Sequence, residues 1–115
     1  MRDGLQPWRV GDLPYLEREI NYWHDSRGYA AASAAVHQAQ LHAARFGMDR
    51  VMVLPDWCAR YDASPREVVA GIDPDGLVAD CDGALIIVLS SEAALARFQD
   101  WCARNVRWDF SRVGA

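Results

Sequence analysis

The chain has 115 residues, of which 51% are hydrophobic and 24% are charged, and its formal net charge is −4. This composition fits one folded domain with an ordinary core, which we expect residues 1–115 to form. The negative charge makes nucleic acid an unlikely ligand, because neutralisation of phosphates dominates that affinity. No apolar run reaches the ~20 residues that cross a bilayer, and the first ten residues lack the apolar segment of a secretory signal.

The cysteine content favours a reducing compartment. Cys58, Cys81 and Cys102 are odd in number and have no zinc-like spacing, so free thiols are favoured over a disulfide framework. We therefore expect a cytoplasmic protein that needs no cofactor and does not contact a membrane.

The first part of the chain predicts one helix. Residues 1–11 are interpreted as an irregular lead-in, in which Pro7 restricts any strand to the edge of a sheet. Asp12 is suited to cap a helix that begins at Leu13, with a proline tolerated in its first turn. Apolar residues then recur at helical spacing: Leu13, Leu16, Ile20 and Trp23.

A second helix is predicted after the turn-like residues 24–28. It covers residues 29–46 and ends at Gly47, a residue suited to a left-handed C-cap. The stripe that faces inward is made mostly of small side chains: Tyr29, Ala32, Val36, Ala39, Ala43 and Phe46. Residues 12–47 are therefore predicted to form a helical hairpin.

The remaining chain predicts the order β-α-β-β-α-β. One helix follows the capping box Ser64-Pro65-Arg66-Glu67 and stops near Gly71, and the other begins after Ser90 or Ser91. Asp82-Gly83 is a strong hairpin signal, whereas residues 57–62 fit either a loop or a helical turn. The predicted strands are residues 51–54, 77–81, 84–89 and 106–110.

This order predicts an α+β fold with a ferredoxin-like sheet over residues 50–111. In such a sheet the first and third strands are central, and residues 51–54 and 84–89 are apolar on both faces, as that position requires. The two helices of the motif cover only one face. We therefore expect the helical hairpin to cover the other, because an exposed Val, Ile or Leu forgoes ~1.5–3 kcal/mol.

Cys58 is the strongest candidate for a catalytic residue, because it follows a predicted buried strand. Tyr61 stands where the second cysteine of a Cys-x-x-Cys redox motif would be, which excludes dithiol exchange. A buried, unreactive thiol is the favoured alternative, because activation requires a neighbouring base.

Four aspartates form the only candidate metal site. They lie in two Asp-x-Asp-Gly segments, and oxygen ligands at such spacing suit calcium or magnesium. The twelve-residue calcium-loop pattern is absent, and the same residues are typical of turns, so turns are the favoured interpretation. The four residues are Asp73, Asp75, Asp80 and Asp82.

Arginine and aromatic residues near the two ends of the chain form the candidate partner-binding set. Trp, Tyr and Arg are enriched among interface hot spots; the alternative is that these aromatic side chains complete the core. The set consists of Trp8, Arg9, Arg104, Arg107, Trp108, Phe110 and Arg112.

The sequence therefore predicts a small non-enzymatic protein that binds another protein. It would act as an inhibitor, an antitoxin-like protein or an accessory factor of bacterial or phage origin, with phage counter-defence among the roles that such a protein fills. An exposed edge, at residues 77–81 or 106–110, could also form a homodimer by strand addition. The alternatives are an enzyme that uses Cys58 and a module that responds to divalent cations at residues 73–82.

Overall fold

The computed structural model of the chain describes residues 6–23, 26–81 and 83–109, with the side chains of residues 20–29 left aside. Within these ranges it contains four α-helices, one 3-10 helix and six strands. None of the described helices combines the length and apolar character needed to cross a lipid bilayer. The helices are α1 (Leu13–Trp23), α2 (Ser26–Arg45), α3 (Pro65–Ile72) and α4 (Glu92–Asn105). The strands are β1 (Trp8–Arg9), β2 (Arg50–Pro55), β3 (Ala59–Arg60), β4 (Leu77–Asp80), β5 (Ala84–Val88) and β6 (Arg107–Trp108).

Four strands form an antiparallel sheet in the order β1-β2-β5-β4. The two predicted apolar strands, β2 and β5, are central, and Met52 pairs with Ile87 between them. β4 and β5 form the predicted hairpin, in which the Cys81 N–H donates to the Ala84 carbonyl at 3.0 Å. Asp82 in the hairpin loop lies outside the described residues.

The predicted ferredoxin-like sheet is not confirmed, because one of its edge strands is different. Of the strand predicted over residues 106–110, the described residues form only Arg107–Trp108, β6. This strand pairs with β3 in a separate two-stranded sheet and not with β2. Trp8 of β1 instead lies opposite Val51. Since the outer side of β2 pairs with only one strand at a time, β1 displaces β6 from this edge.

Helices pack on the sheet and on each other around one core. α2 contacts β4 and β5, and α1 packs on α2. α3 and α4 contact each other, while α3 also contacts β4 and α4 contacts β2. Apart from Arg50 and the half-buried Leu85, every residue of β2 and β5 is buried. Because successive strand residues point to opposite faces, both faces of the two central strands are covered.

Several element boundaries differ from the predictions by a few residues. α1 begins at Leu13 as predicted, but α2 begins at Ser26, inside the turn predicted over residues 24–28. α3 continues to Ile72, one residue beyond the glycine at which a stop was predicted. The ambiguous residues 57–62 contain the short strand β3.

Glycine ends α2 in the way the sequence predicts. Gly47 has φ = 68°, a left-handed conformation that costs glycine little. Its N–H donates to the Ala44 carbonyl at 3.2 Å, and the Met48 N–H donates to the Ala43 carbonyl at 2.8 Å. This pair of bonds is the Schellman motif, and it directs the chain from α2 towards β2.

Serine side chains cap the two helices of the second half. The Ser64 hydroxyl accepts a hydrogen bond from the Glu67 N–H at 3.4 Å, and the Ser91 hydroxyl accepts one from the Ala94 N–H at 3.1 Å. Each bond satisfies an N–H group that has no partner within its helix. The sequence predicts both helix starts correctly.

Two glycines provide a matched test of close packing. A Cβ atom at position 76 would lie 2.6 Å from Cγ1 of Val69 and 3.1 Å from the Asp73 carbonyl oxygen, whereas one at position 71 meets no atom within 4 Å. We expect Gly76→Ala to lower the free energy of unfolding by about 1–3 kcal/mol. Gly71→Ala is expected to leave it unchanged or raise it by about 0.4–1 kcal/mol. Urea denaturation measures both variants, and equal effects would contradict the tight contact at Gly76.

Candidate functional site

The short sheet of β3 and β6, here called the ribbon, brings arginine and tryptophan together. Ala59 lies opposite Trp108, and Arg60 lies opposite Arg107. The ribbon is extended by the Asp109 N–H, which donates to the Cys58 carbonyl at 2.7 Å. Because strand residues alternate between faces, one face carries Cys58, Arg60, Arg107 and Asp109, and the other carries Ala59 and Trp108.

Two arginines stand directly across the ribbon from each other. Arg60 is half-buried, and its guanidinium donates to the carbonyls of Asp56 and Ala59 at 2.8 and 3.1 Å. Arg107 is exposed. Like charges at opposite positions of an antiparallel pair are unfavourable, although the Asp109 carboxylate on the same face offsets part of the charge. This face therefore presents two guanidinium groups, which suit planar, bidentate contacts with carboxylates.

Trp108 is on the other face and belongs to the core boundary. Its ring is half-buried and packs against the hydrophobic core. Within the described part of the chain, its Nε1 is buried and has no hydrogen-bond partner; a buried unpaired donor costs ~1–3 kcal/mol. The side chain therefore resembles the core-closing alternative more closely than an exposed hot spot.

The other residues of the predicted partner-binding set do not lie together on one surface of the ribbon. Trp8 and Arg9 lie opposite Val51 and Arg50 at the beginning of β2, whereas the ribbon follows the end of β2. Arg104 is exposed in the last turn of α4 and forms an ion pair at 2.8 Å with Asp100, one turn earlier. Phe110 and Arg112 lie outside the described residues.

The Cys58 thiol is in an environment that disfavours a nucleophile. Its side chain is 3% exposed, and burial raises its pKa above the ordinary value of 9.0. The charge of Arg60 opposes this rise, while those of Asp109 and Asp56 add to it. A thiol reacts as its thiolate, so the geometry gives no support to the interpretation of Cys58 as a catalytic residue.

The other two cysteines are core residues. Cys81 and Cys102 are fully buried, and burial is the main cause that raises the pKa of each thiol to about 12. Cys81 also donates a weak hydrogen bond to the Ala84 carbonyl at 3.3 Å.

The three described aspartates of the candidate metal site, Asp73, Asp75 and Asp80, do not converge on one point. Asp73 and Asp75 lie in the loop before β4, Asp80 lies at the other end of that strand, and Asp82 is outside the described residues. Among the residues that the structure describes, no group of three His, Cys, Asp or Glu side chains is arranged to hold a metal ion.

Asp73 instead joins the end of α3, the loop before β4 and the residues that precede α4, here called the Asp73 junction. Its carboxylate accepts hydrogen bonds from the Ser90 N–H at 2.6 Å, the Ser90 hydroxyl at 2.9 Å and the Asp75 N–H at 3.0 Å. His42 of α2 reaches the same loop through a 2.7 Å contact with the Asp75 carbonyl. Burial alone would raise the pKa of Asp73, but these hydrogen bonds and the charge of His42 outweigh it and lower the pKa below 3.8.

A small cleft of about 190 Å³ adjoins the ribbon. Burial raises the pKa of the Tyr61 phenol, and the charges of Asp56 and Asp80 raise it further, so the phenol remains a neutral hydrogen-bond donor near neutral pH. The cleft is lined by Leu54, Asp56, Tyr61, Asp80, Gly83, Ala84 and Leu85. Asp56 therefore belongs to the acidic cleft and also contacts Arg60 of the ribbon, so the acidic cleft and the arginine face of the ribbon are adjacent.

The sequence did not identify Arg60 as part of the site. It lies in residues 57–62, where no periodic pattern distinguished strand from loop, and its position opposite Arg107 depends on register. No local pattern in residues 57–62 could have identified it.

Comparison of the chain with family models, with curated proteins and with solved structures gives no match. Its function is therefore argued from the chemistry of the described residues alone.

The Asp73 junction predicts a stability change that depends on pH. Because the folded-state pKa lies below the unfolded value, the carboxylate stabilises the fold above pH 3.8 and loses this effect as the pH falls through the folded-state pKa. At pH 7 we expect Asp73→Asn to lower the free energy of unfolding by about 1–3 kcal/mol. The difference from wild type is expected to shrink in strong acid.

Urea denaturation at pH 7 and at about pH 2.5 measures this difference. The control is Asp62→Asn, which alters an exposed carboxylate and is expected to change stability by less than about 0.5 kcal/mol at either pH. An Asp73→Asn difference that does not vary with pH would refute the assignment.

The buried thiols predict slow alkylation. In the folded protein at pH 7, we expect iodoacetamide to modify all three cysteines at least about tenfold more slowly than in denaturant, because burial lowers the thiolate fraction. Mass spectrometry of digested samples reports each site separately. Rapid and selective labelling of Cys58 would revive the interpretation of this residue as a nucleophile.

Proposed function

We propose that the protein acts by binding another protein, and that the arginine face of the ribbon is the binding surface. The observation that carries this proposal is the position of Arg60 directly opposite Arg107. A like-charge pair costs stability in the isolated chain. An anionic partner placed between the two guanidinium groups removes that cost and gains charge-assisted hydrogen bonds.

The chemistry of this face favours carboxylates on a protein surface over a polyanion. The chain carries a net charge of −4, and the acidic cleft adjoins the ribbon at Asp56. A nucleic acid would have to approach both surfaces, whereas an acidic patch on a protein can contact the arginines alone. Inhibitors, antitoxin-like proteins and accessory factors act in this way, by occupying a surface of their partner.

The proposal includes a reducing cytoplasmic setting. All three cysteines are free and buried, and free thiols persist where disulfides are kept reduced.

Charge reversal at Arg107 separates binding from stability. We expect Arg107→Glu to raise the free energy of unfolding by about 0.2–1 kcal/mol, because it places opposite charges across the ribbon. The same change is expected to reduce recovery of a specific partner by about tenfold or more in quantitative affinity capture from the host lysate. Stability is measured by urea denaturation.

The matched control is Arg97→Glu, which reverses an exposed arginine on α4 without touching the ribbon. A partner retained by Arg97→Glu and lost by Arg107→Glu supports the proposal. Equal recovery of every captured protein by wild type and both variants would reject the ribbon as the binding surface.

A further inference from the structure

The outer edge of β4 directs backbone groups away from the sheet. In the described part of the chain, β4 pairs with β5 on one side and with no strand on the other. The hairpin bond from Cys81 to Ala84 fixes the alternation of an antiparallel pair, so Ala79 faces β5, while Val78 and Asp80 direct their backbone groups outward. The contact from Arg66 to the Val78 carbonyl, at 3.1 Å, agrees with this direction.

Arg66 partly covers this edge. A charged side chain is one of the devices by which natural sheets discourage unwanted pairing at an edge. The guanidinium contacts one carbonyl, and the Val78 N–H also points outward. A groove of about 520 Å³ between α3 and β4 lies beside it, lined in part by Val69, Pro74, Leu77 and Val78. The opposite edge strand, β1, has only two residues and is a poorer template.

We propose that two copies of the chain associate through antiparallel pairing of β4 with β4, centred on Ala79. The outward-facing residues are two positions apart, so a two-fold axis at Ala79 places Val78 opposite Asp80 of the second copy. Each N–H then meets a carbonyl of the other chain. This self-association goes beyond the proposed function, since it involves neither Arg60 nor Arg107.

Charge complementarity favours a second copy as the occupant. The register places the Asp80 carboxylate of the second copy beside Val78, the residue whose carbonyl Arg66 contacts. When a backbone N–H of the second copy takes that carbonyl, the guanidinium exchanges a neutral acceptor for a charged one, which is the stronger hydrogen bond. The two-fold axis repeats this exchange, so each dimer gains two such pairs.

The dimer is tested with the purified chain alone, by sedimentation velocity over a range of concentrations. A four-residue edge makes a small interface, so we expect a weak dimer whose population rises with concentration. Val78→Pro removes an N–H that points outward and leaves the β4–β5 bonds intact. We expect it to weaken dimerisation at least about tenfold, the loss of roughly one hydrogen bond in each copy.

The control for this variant is Val78→Thr, which keeps the N–H and a β-branched side chain and is expected to dimerise like wild type. Circular dichroism checks that each variant is folded. A wild-type chain that stays monomeric throughout would overturn the proposal, and so would a folded Val78→Pro variant that dimerises as tightly as Val78→Thr.

A charge exchange tests the register. Arg66→Glu and Asp80→Arg are each expected to weaken the dimer, and the double variant is expected to restore it. Restoration supports pairing centred on Ala79, and a double variant no tighter than either single one rejects that register. Because no other protein is present, these results are independent of the capture experiment on the ribbon.

Discussion

Burial of both faces of β2 and β5 is the constraint on which the rest of the fold depends. Two adjacent strands whose alternating residues are all apolar need cover on each side of the sheet. α4 contacts β2, and α2 packs on β4 and β5. The small side chains along α2, of which Ala32, Ala39 and Ala43 are fully buried, let that helix lie close to the strands. The helical hairpin is therefore an integral part of the structure.

A buried carboxylate, that of Asp73, holds the loop between α3 and β4 in place. Asp73 is 5% exposed, and a charge in that position is tolerated only when hydrogen bonds replace its water. Ser90 and the Asp75 N–H supply those bonds, so the loop before β4 is tied to the start of α4. The sequence favoured turns for the aspartate-rich segment, but it did not reveal that the Asp73 carboxylate binds Ser90. A turn and a cation site use the same residue types, and only the position of Ser90 distinguishes them.

Local sequence patterns were sufficient to predict most of the helices and turns. They were not sufficient to predict which strands pair with each other. The capping serines, Gly47 and the hairpin at Gly83 were predictable because each depends on residues a few positions apart. The alternation in residues 106–110 predicted a strand, of which Arg107–Trp108 is found, but alternation cannot identify the strand with which it pairs. β1 takes the place beside β2, and β3 pairs with β6. Each of these two strands has only two residues, which is too short to show a periodic pattern. The candidate site could be predicted only in part for the same reason. Arg107 was predicted because arginine is common in interfaces, whereas Arg60 could be identified only from the register of the ribbon.

The sheet order also sets the sequence of events during synthesis. β2 bonds to β1 and β5, and the segments between β2 and β5 in the chain are β3, α3 and β4. A nascent chain that has emerged from the ribosome as far as Pro55 therefore exposes an apolar strand whose main partner has not yet emerged. Contacts within α1 and α2 form early because they are local, whereas the β2–β5 pair waits. Until β5 emerges, the apolar residues 51–54 lack their main partner and are exposed to aggregation.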